Sequence, residues 1–224
     1  MPNLTFLGHA AWYIESSGTK IVIDPFLEGN PLAKHKASDI KADYILLSHA
    51  HGDHIGDSEK IAKANDSTII ANFEIANYFG KKNIKNHPLH IGGACEFPFG
   101  KVKLTQAFHG SSFPDGTYGG MPAGILLTTG GKTIYHTGDT ALFSDMQLIG
   151  KTGVDIMLVC IGDNFTMCID DAVDALDFVK PKLAVPMHYK TFGYIDVDPQ
   201  GFVDKGKKRG HEVKIVNIGE TITI

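Results

Sequence analysis

Three imidazoles and a carboxylate fall within six residues in Ser48-His49-Ala50-His51-Gly52-Asp53-His54, directly after the apolar run Tyr44-Ile45-Leu46-Leu47. A strand that ends in such a cluster constrains the fold, because its loop must lie on a rim where the polar side chains are gathered. Neutral imidazole is the commonest protein metal ligand, and the Asp adds a hard oxygen donor. A merely histidine-rich polar loop is the alternative. It is disfavoured because His and Asp crowded at a strand end repel or desolvate one another unless a cation joins them.

The chain has 224 residues and shows no repeat, low-complexity tract or long linker, so residues 1–224 are read as one domain. A hydrophobic content of 43% with 21% charged residues is enough for a substantial core. The net charge of −4 gives no general attraction to nucleic acid or anionic membrane, and neither is expected as a partner. Cys95, Cys160 and Cys168 stand in no short paired spacing. A disulfide framework and a Cys-rich zinc site are thereby excluded, and a reducing cytoplasm is the expected location. The first residues read as a strand and no segment is long and apolar enough for a bilayer, so neither a signal peptide nor a membrane span is expected. Homo-oligomerisation is compatible with a compact enzyme, but no segment marks an interface.

Short β-rich runs at 4–7, 11–14, 20–23 and 44–47 fill the first part, with a hairpin turn at Ser17-Gly18-Thr19. A helix opened by Asp57 or Ser58, a strand over 67–71 and a helix over 72–78 follow. Strands are expected at 101–107, 123–128 and 133–136, the last two joined by Thr129-Gly130-Gly131-Lys132. Met146 and Ile149 fit a helix, 155–161 a buried strand, and 170–179 an amphipathic helix capped by Asp170. A strand over 183–186, a helix over 199–208 and strands over 212–216 and 221–224 finish the chain. Two antiparallel-looking halves imply two packed sheets with helices outside, an α+β class.

Three further candidates also follow strands: His109, Asp139 and His188. Together with the cluster they supply donors for two four- or five-coordinate cations. The order His-x-His-x-Asp-His, then a lone His, a lone Asp and a last His, resembles the metallo-β-lactamase superfamily over essentially the whole chain. Leu7-Gly8-His9-Ala10, Ile23-Asp24-Pro25-Phe26, His136-Thr137-Gly138-Asp139-Thr140 and Pro186-Met187-His188-Tyr189 are similar to a branch of metal-dependent hydrolases related to ascorbate-6-phosphate lactonase. The resemblance implies an αββα sandwich of two mixed sheets with the site along one edge. It also implies that His49, His51 and His109 hold a first metal, that Asp53, His54 and His188 hold a second, and that Asp139 bridges them. Asp24 matches the superfamily's early Asp and is expected to orient ligands by hydrogen bonding, with His136 packing behind Asp139 as a donor.

Two metals about 3.5–4 Å apart can share a water as hydroxide and polarise an electrophile. The expected function is hydrolysis of an ester-type bond, phosphodiester or lactone, in a small to medium anionic substrate. Asp53 is expected to orient the nucleophile, and His9 to act as a substrate contact or proton shuttle. All-N/O ligation points to zinc first and manganese next. Residues 110–122 are a loop by composition, expected to overhang the site with Phe113, Tyr118 and Met121. Asn164, Thr166, Tyr189 and Lys190 are the expected substrate contacts, with Lys190 meeting an anionic group. His35 and His211 are expected in solvent, and His87 and His90 on an edge segment. A same-fold iron redox protein and a non-catalytic metal-stabilised binding module are the competing readings.

Overall fold

A computed structural model describes residues 1–224 and sets the strands in two sheets. The first has seven strands: β1 (Asn3–Gly8), β2 (Ala11–Ser16), β3 (Thr19–Ile23), β4 (Tyr44–Leu46), β5 (Thr68–Asn72), β6 (Asn86–Leu89) and β13 (Thr221–Thr223), in the order β13-β1-β2-β3-β4-β5-β6. The second has six: β7 (Ala94–Phe97), β8 (Gly100–Gln106), β9 (Ala123–Thr129), β10 (Lys132–His136), β11 (Ile156–Cys160) and β12 (Leu183–Met187), in the order β12-β11-β10-β9-β8-β7. The helices are α1 (Gly52–Ile55), α2 (Ser58–Asn65), α3 (Phe73–Gly80), α4 (Met146–Gly150), α5 (Ile169–Val179) and α6 (Pro199–Lys208). None is long and apolar enough to cross a membrane.

The two sheets press their inner faces together. Trp12, Ile14, Ile21 and Ile23 of the first sheet join Leu104, Ile125, Leu127 and Ile134 of the second in one apolar cluster. The outward residues of the first sheet, Val22, Ile45 and Ile69, pack instead under Ile61 of α2 and Ile75 and Phe79 of α3. Period-2 alternation thus feeds two cores from one sheet, as expected of strands covered on both faces.

Neither sheet is antiparallel throughout. β3, β4, β5 and β6 are mutually parallel, as are β10, β11 and β12. Parallel neighbours need crossovers, which α2, α3, α4 and α5 supply for four pairs and the loop over 24–43 supplies for β3 and β4. This direction matters for the site. β1, β3 and β4 run one way in their sheet, as do β8, β10 and β12 in theirs. The residues just past their C-terminal ends therefore collect on one rim.

Three local expectations are corrected. Asp170 is not the cap of α5: the Sγ of Cys168 accepts the Asp171 N–H, and Asp170 stands in the first turn. Residues 212–216 form no strand, because Val213 makes only an isolated bridge to Ala184 while the segment passes over α6. His211 is not in open solvent, because its Nε2 lies 2.6 Å from the Asp177 carboxylate. The edge segment carrying His87 is β6, whose Pro88 sits where no further strand needs its missing N–H.

Candidate metal centre

Six strand ends deliver the site: His9 follows β1, Asp24 follows β3, His49 to His54 follow β4, His109 follows β8, Asp139 follows β10, and His188 follows β12. His9, Asp24 and His188 have left-handed backbones, with φ of 56°, 44° and 60°. Asp and His tolerate this region better than most residues, yet three instances at one rim show a backbone held by its surroundings. One restraint is the His188 N–H, which donates to the His9 carbonyl at 2.7 Å. Gly138 has φ 58°, and a Cβ there would lie 2.6 Å from the Ala123 carbonyl. Only glycine lets β10 turn at that point and present Asp139.

The side chains form two converging sets. In the first, His51 Nδ1 lies 3.0 Å from His49 Nε2 and 3.2 Å from His109 Nε2. Ligands at 2.0–2.1 Å around a tetrahedral zinc stand about 3.3 Å apart, so this spacing suits a shared cation. In the second, Asp53, His54 and His188 gather with His9 within 4.8 Å of one another. Asp139 lies between the sets. Its Oδ2 is 3.0 Å from His188 Nε2, 3.3 Å from His54 Nε2, 3.5 Å from His109 Nε2 and 4.0 Å from His49 Nε2.

Hydrogen bonding tests whether this is a metal site or a satisfied polar cluster. His54 Nε2, both ring nitrogens of His188 and Asp139 Oδ1 are buried and make no hydrogen bond with good geometry. Buried polar atoms are ordinarily paired, so the orphaned Nε2 atoms of His54 and His188, both beside Asp139, fit the donor set of a divalent cation.

Behind the rings, Asp24 fixes which nitrogen faces inward. Its carboxylate is buried and accepts from the Ser48 N–H at 2.8 Å, the Ser48 hydroxyl at 2.5 Å and His54 Nδ1 at 2.8 Å. Ser48 has one hydroxyl proton, and Asp24 takes it. The Ser48 Oγ therefore accepts from His49 Nδ1, 2.9 Å away. His49 and His54 both carry their proton on the outer nitrogen, which leaves Nε2 to the centre. The role of Ser48 escaped the sequence reading; its place before the first His, following a strand beside Asp24, was the available signal.

His9 is buried behind Asp53. Its Nε2 donates to Asp53 Oδ2 at 3.1 Å, and its Nδ1 accepts from the Thr191 hydroxyl at 2.9 Å. It therefore reaches the cavity only through Asp53. His136 does not bond Asp139. Its Nε2 donates to the Ala10 carbonyl at 2.8 Å, and its Nδ1 accepts the Gly138 N–H at 3.1 Å, which ties the His9 and Asp139 turns together.

A cavity of about 710 Å³ opens over the cluster, lined by Asp53, Asp139, His51, His109 and His188 and by phenylalanines. Phe113 belongs to its wall, but Tyr118 and Met121 turn outward and are exposed. Phe165 reaches the cavity in place of its neighbours Asn164 and Thr166. Asn164 is exposed, and the Thr166 hydroxyl is occupied by the Gly162 N–H. Tyr189 and Lys190 line a separate cavity of about 370 Å³ behind His9, because the left-handed turn at His188 and Lys190 swings them away from the rim.

Burial drives the His49, His51 and His109 rings below their ordinary pKa, and His9 down to about 4. Burial opposes charge on His54 and His188 too, but Asp139 overcomes it, raising His54 well above the usual range and His188 to about 9. Asp53 is buried enough to favour the acid, yet the adjoining His188 and His9 imidazoles hold it well below the carboxylate range. A pH dependence follows for the metal-free chain. The four lowered histidines and the buried His136, lowered likewise, stabilise the fold above the ordinary value of 6.5 and lose that contribution as pH falls through their folded pKa values. The two raised ones contribute fully below 6.5 and lose it as pH climbs through about 9. Melting temperature should thus fall on both sides of a maximum near neutrality. Two equivalents of zinc should abolish the alkaline fall, since bound imidazole is already deprotonated, and steepen the acid one. An alkaline limb indifferent to zinc would count against His54 and His188 as ligands.

Residues 3–188 match the family described as the Beta-lactamase superfamily domain, and the chain belongs to the metallo-β-lactamase superfamily. It is 52% identical over 225 residues to a UPF0173 metal-dependent hydrolase of Carboxydothermus hydrogenoformans, covering 99% of this chain and 100% of the relative. A UPF0173 metal-dependent hydrolase of Bacillus cytotoxicus is 53% identical over 228 residues with the same coverage. Among solved structures, Igni18, a metallo hydrolase from Ignicoccus hospitalis, superposes with a TM-score of 0.92 at 35% identity, covering 100% of this chain and 98% of that one. The chain is thus a metal-dependent hydrolase of the metallo-β-lactamase fold.

Proposed function

We propose that this hydrolase works with two divalent cations on an ester-type bond. The reading rests on Asp139 Oδ2, which stands within 4.0 Å of ring nitrogens from both sets. His49, His51 and His109 would hold the first cation and Asp53, His54 and His188 the second, with Asp139 placed between the two sets. Such a pair supplies positive charge for the developing oxyanion and leaving oxygen and makes a water acidic enough to react at neutral pH. Nitrogen and oxygen donors without thiolate favour zinc, then manganese.

The protein's own groups do the remaining work. Asp53 Oδ2 is engaged by His9 and lies 3.8 Å from His188 Nε2, so Oδ1 is left to orient the attacking water. His9 and Thr191 hold that carboxylate in place. Asp24, through Ser48 and directly, keeps His49 and His54 in the ligating tautomer.

Metal analysis by mass spectrometry should find two equivalents on protein reconstituted with zinc or manganese. Prolonged chelation should remove hydrolysis of aryl esters and lactones, and stoichiometric metal should restore it. Full activity in the chelated, metal-free protein would sink the proposal.

A further inference from the structure

The cavity over the cluster is walled by four phenylalanines, Phe26, Phe113, Phe165 and Phe192, and its lining contains no Lys or Arg. Its charged side chains are those of the ligand cluster alone. Phe26 and Phe192 face one another with ring centroids 6.1 Å apart, and Phe165 stands edge-on to Tyr194 at 5.9 Å. Phe165, which lines the cavity, is 50% exposed, and its neighbour Tyr194 is 75% exposed. Apolar rings held in water at the mouth of a polar cleft mark a surface that a ligand covers. Cations of neighbouring segments are turned elsewhere. Lys190 lines the separate cavity and lies 3.9 Å from Asp198, while Lys82 pairs with Glu59 and stands over Tyr78.

Resting on the hydrolase reading above, we propose that the non-reacting part of the substrate is uncharged and aromatic, making neutral aryl esters and aryl lactones the substrate class. A substrate with a second anionic group, remote from the cleaved bond, is disfavoured. Cations held by the cluster would neutralise charge at the reacting centre, but a remote anion would lie among apolar rings with no Lys or Arg lining the cavity. Lys190, expected from sequence to meet an anionic group of the substrate, lies outside this cavity. The cavity, about 710 Å³, has the size of an ordinary small-molecule site. In the reaction, the water oxygen bonds to the acyl carbon and the acyl–oxygen bond breaks. Of water's two protons, one ends on the phenolic oxygen and the other leaves with ionisation of the acid product.

Phenyl acetate and 4-carboxyphenyl acetate share the cleaved bond and differ by a remote carboxylate. With the zinc-loaded protein, kcat/KM should favour the neutral ester by about tenfold or more, the order by which one mismatched group is discriminated. Phe165→Ala and Phe192→Ala should raise KM for phenyl acetate more than they lower kcat, and Phe165→Lys should shift the preference toward the carboxylated ester. Saturation-transfer NMR with the uncleavable acetophenone and 4-acetylbenzoate reads the same preference without turnover, with the neutral ketone expected to bind and its carboxylate not. Equal or faster turnover of the carboxylated ester, or equal binding of the two ketones, would overturn the inference while leaving the hydrolase intact. Silence toward all esters, lactones and phosphodiesters, with the NMR preference retained, would overturn the hydrolase reading and leave the cavity's preference standing.

Discussion

Asp139→Ala is expected to lower kcat/KM by at least about a thousandfold, the upper range for losing one group aimed at reacting charge, and to reduce bound metal from two equivalents to one or none. The reason is position. Asp139 is the ligand candidate that lies between the sets, with Oδ2 3.0 Å from His188 Nε2 and 3.5 Å from His109 Nε2. Burial alone would favour its protonated form, but His188 and His54 hold it ionised far below the usual range. The variant should also report on the metal-free fold. Removing one member of a buried charged set costs about 3–5 kcal/mol, and here the penalty should be largest below pH 6.5, where His54 and His188 carry charge that Asp139 no longer balances. Toward pH 9 the gap to the parent should narrow, because the parent loses the same protons. Calorimetry at the two pH values, paired with metal analysis, separates these effects. Two retained metals and activity within tenfold of the parent would refute a bridging role.

Strand positions and the rim were legible because alternation is a local signal and because each site residue follows an apolar run, as Asp139 follows Ile134 and Tyr135. Strand direction was not, since periodicity is blind to it: the parallel pairing of β3 with β4 depends on crossovers that only the assembled fold displays. Short elements escaped for a related reason. The four-residue α1 is made by the His51 carbonyl accepting from His54 and Ile55, and it ends where Gly56, φ 37°, passes against Pro25 and Phe26. Beyond the ligand cluster, sequence proximity misled. Asn164, Thr166, Tyr189 and Lys190 stand beside rim residues, but a left-handed turn or one further step along a loop decides which side chain enters the cavity, and Phe165 and Phe192 enter instead. Their hydrophobicity alone suggested core, not cleft.

Asp24→Asn is expected to cost metal affinity at both halves of the centre and to lower kcat/KM by about 10²–10⁴, between the usual loss for a group behind a ligand and that for a forced wrong tautomer. Asn fits the space and tolerates the left-handed backbone that Asp24 adopts at φ 44°. One amide oxygen can still accept the Ser48 N–H. The amide nitrogen, however, then faces the Ser48 hydroxyl and His54 Nδ1, both of which now donate to the carboxylate. Donors facing a donor must turn. His54 moves its proton to Nε2, on the side that faces Asp139, and Ser48 redirects its proton to His49 Nδ1, which places the His49 proton on Nε2 as well. One exchanged atom thus blocks a nitrogen in each ligand set. Ser48→Ala, by contrast, frees only His49 and should weaken the first set alone. Asp24→Ala adds a left-handed alanine and takes the acceptor from three donors, so its melting temperature should fall further than that of either other variant. Nitrogen-15 chemical shifts of the two imidazoles would report the tautomers directly. Unchanged shifts, with both metals still bound at parental affinity in Asp24→Asn, would show that the carboxylate does not set the orientation of these rings.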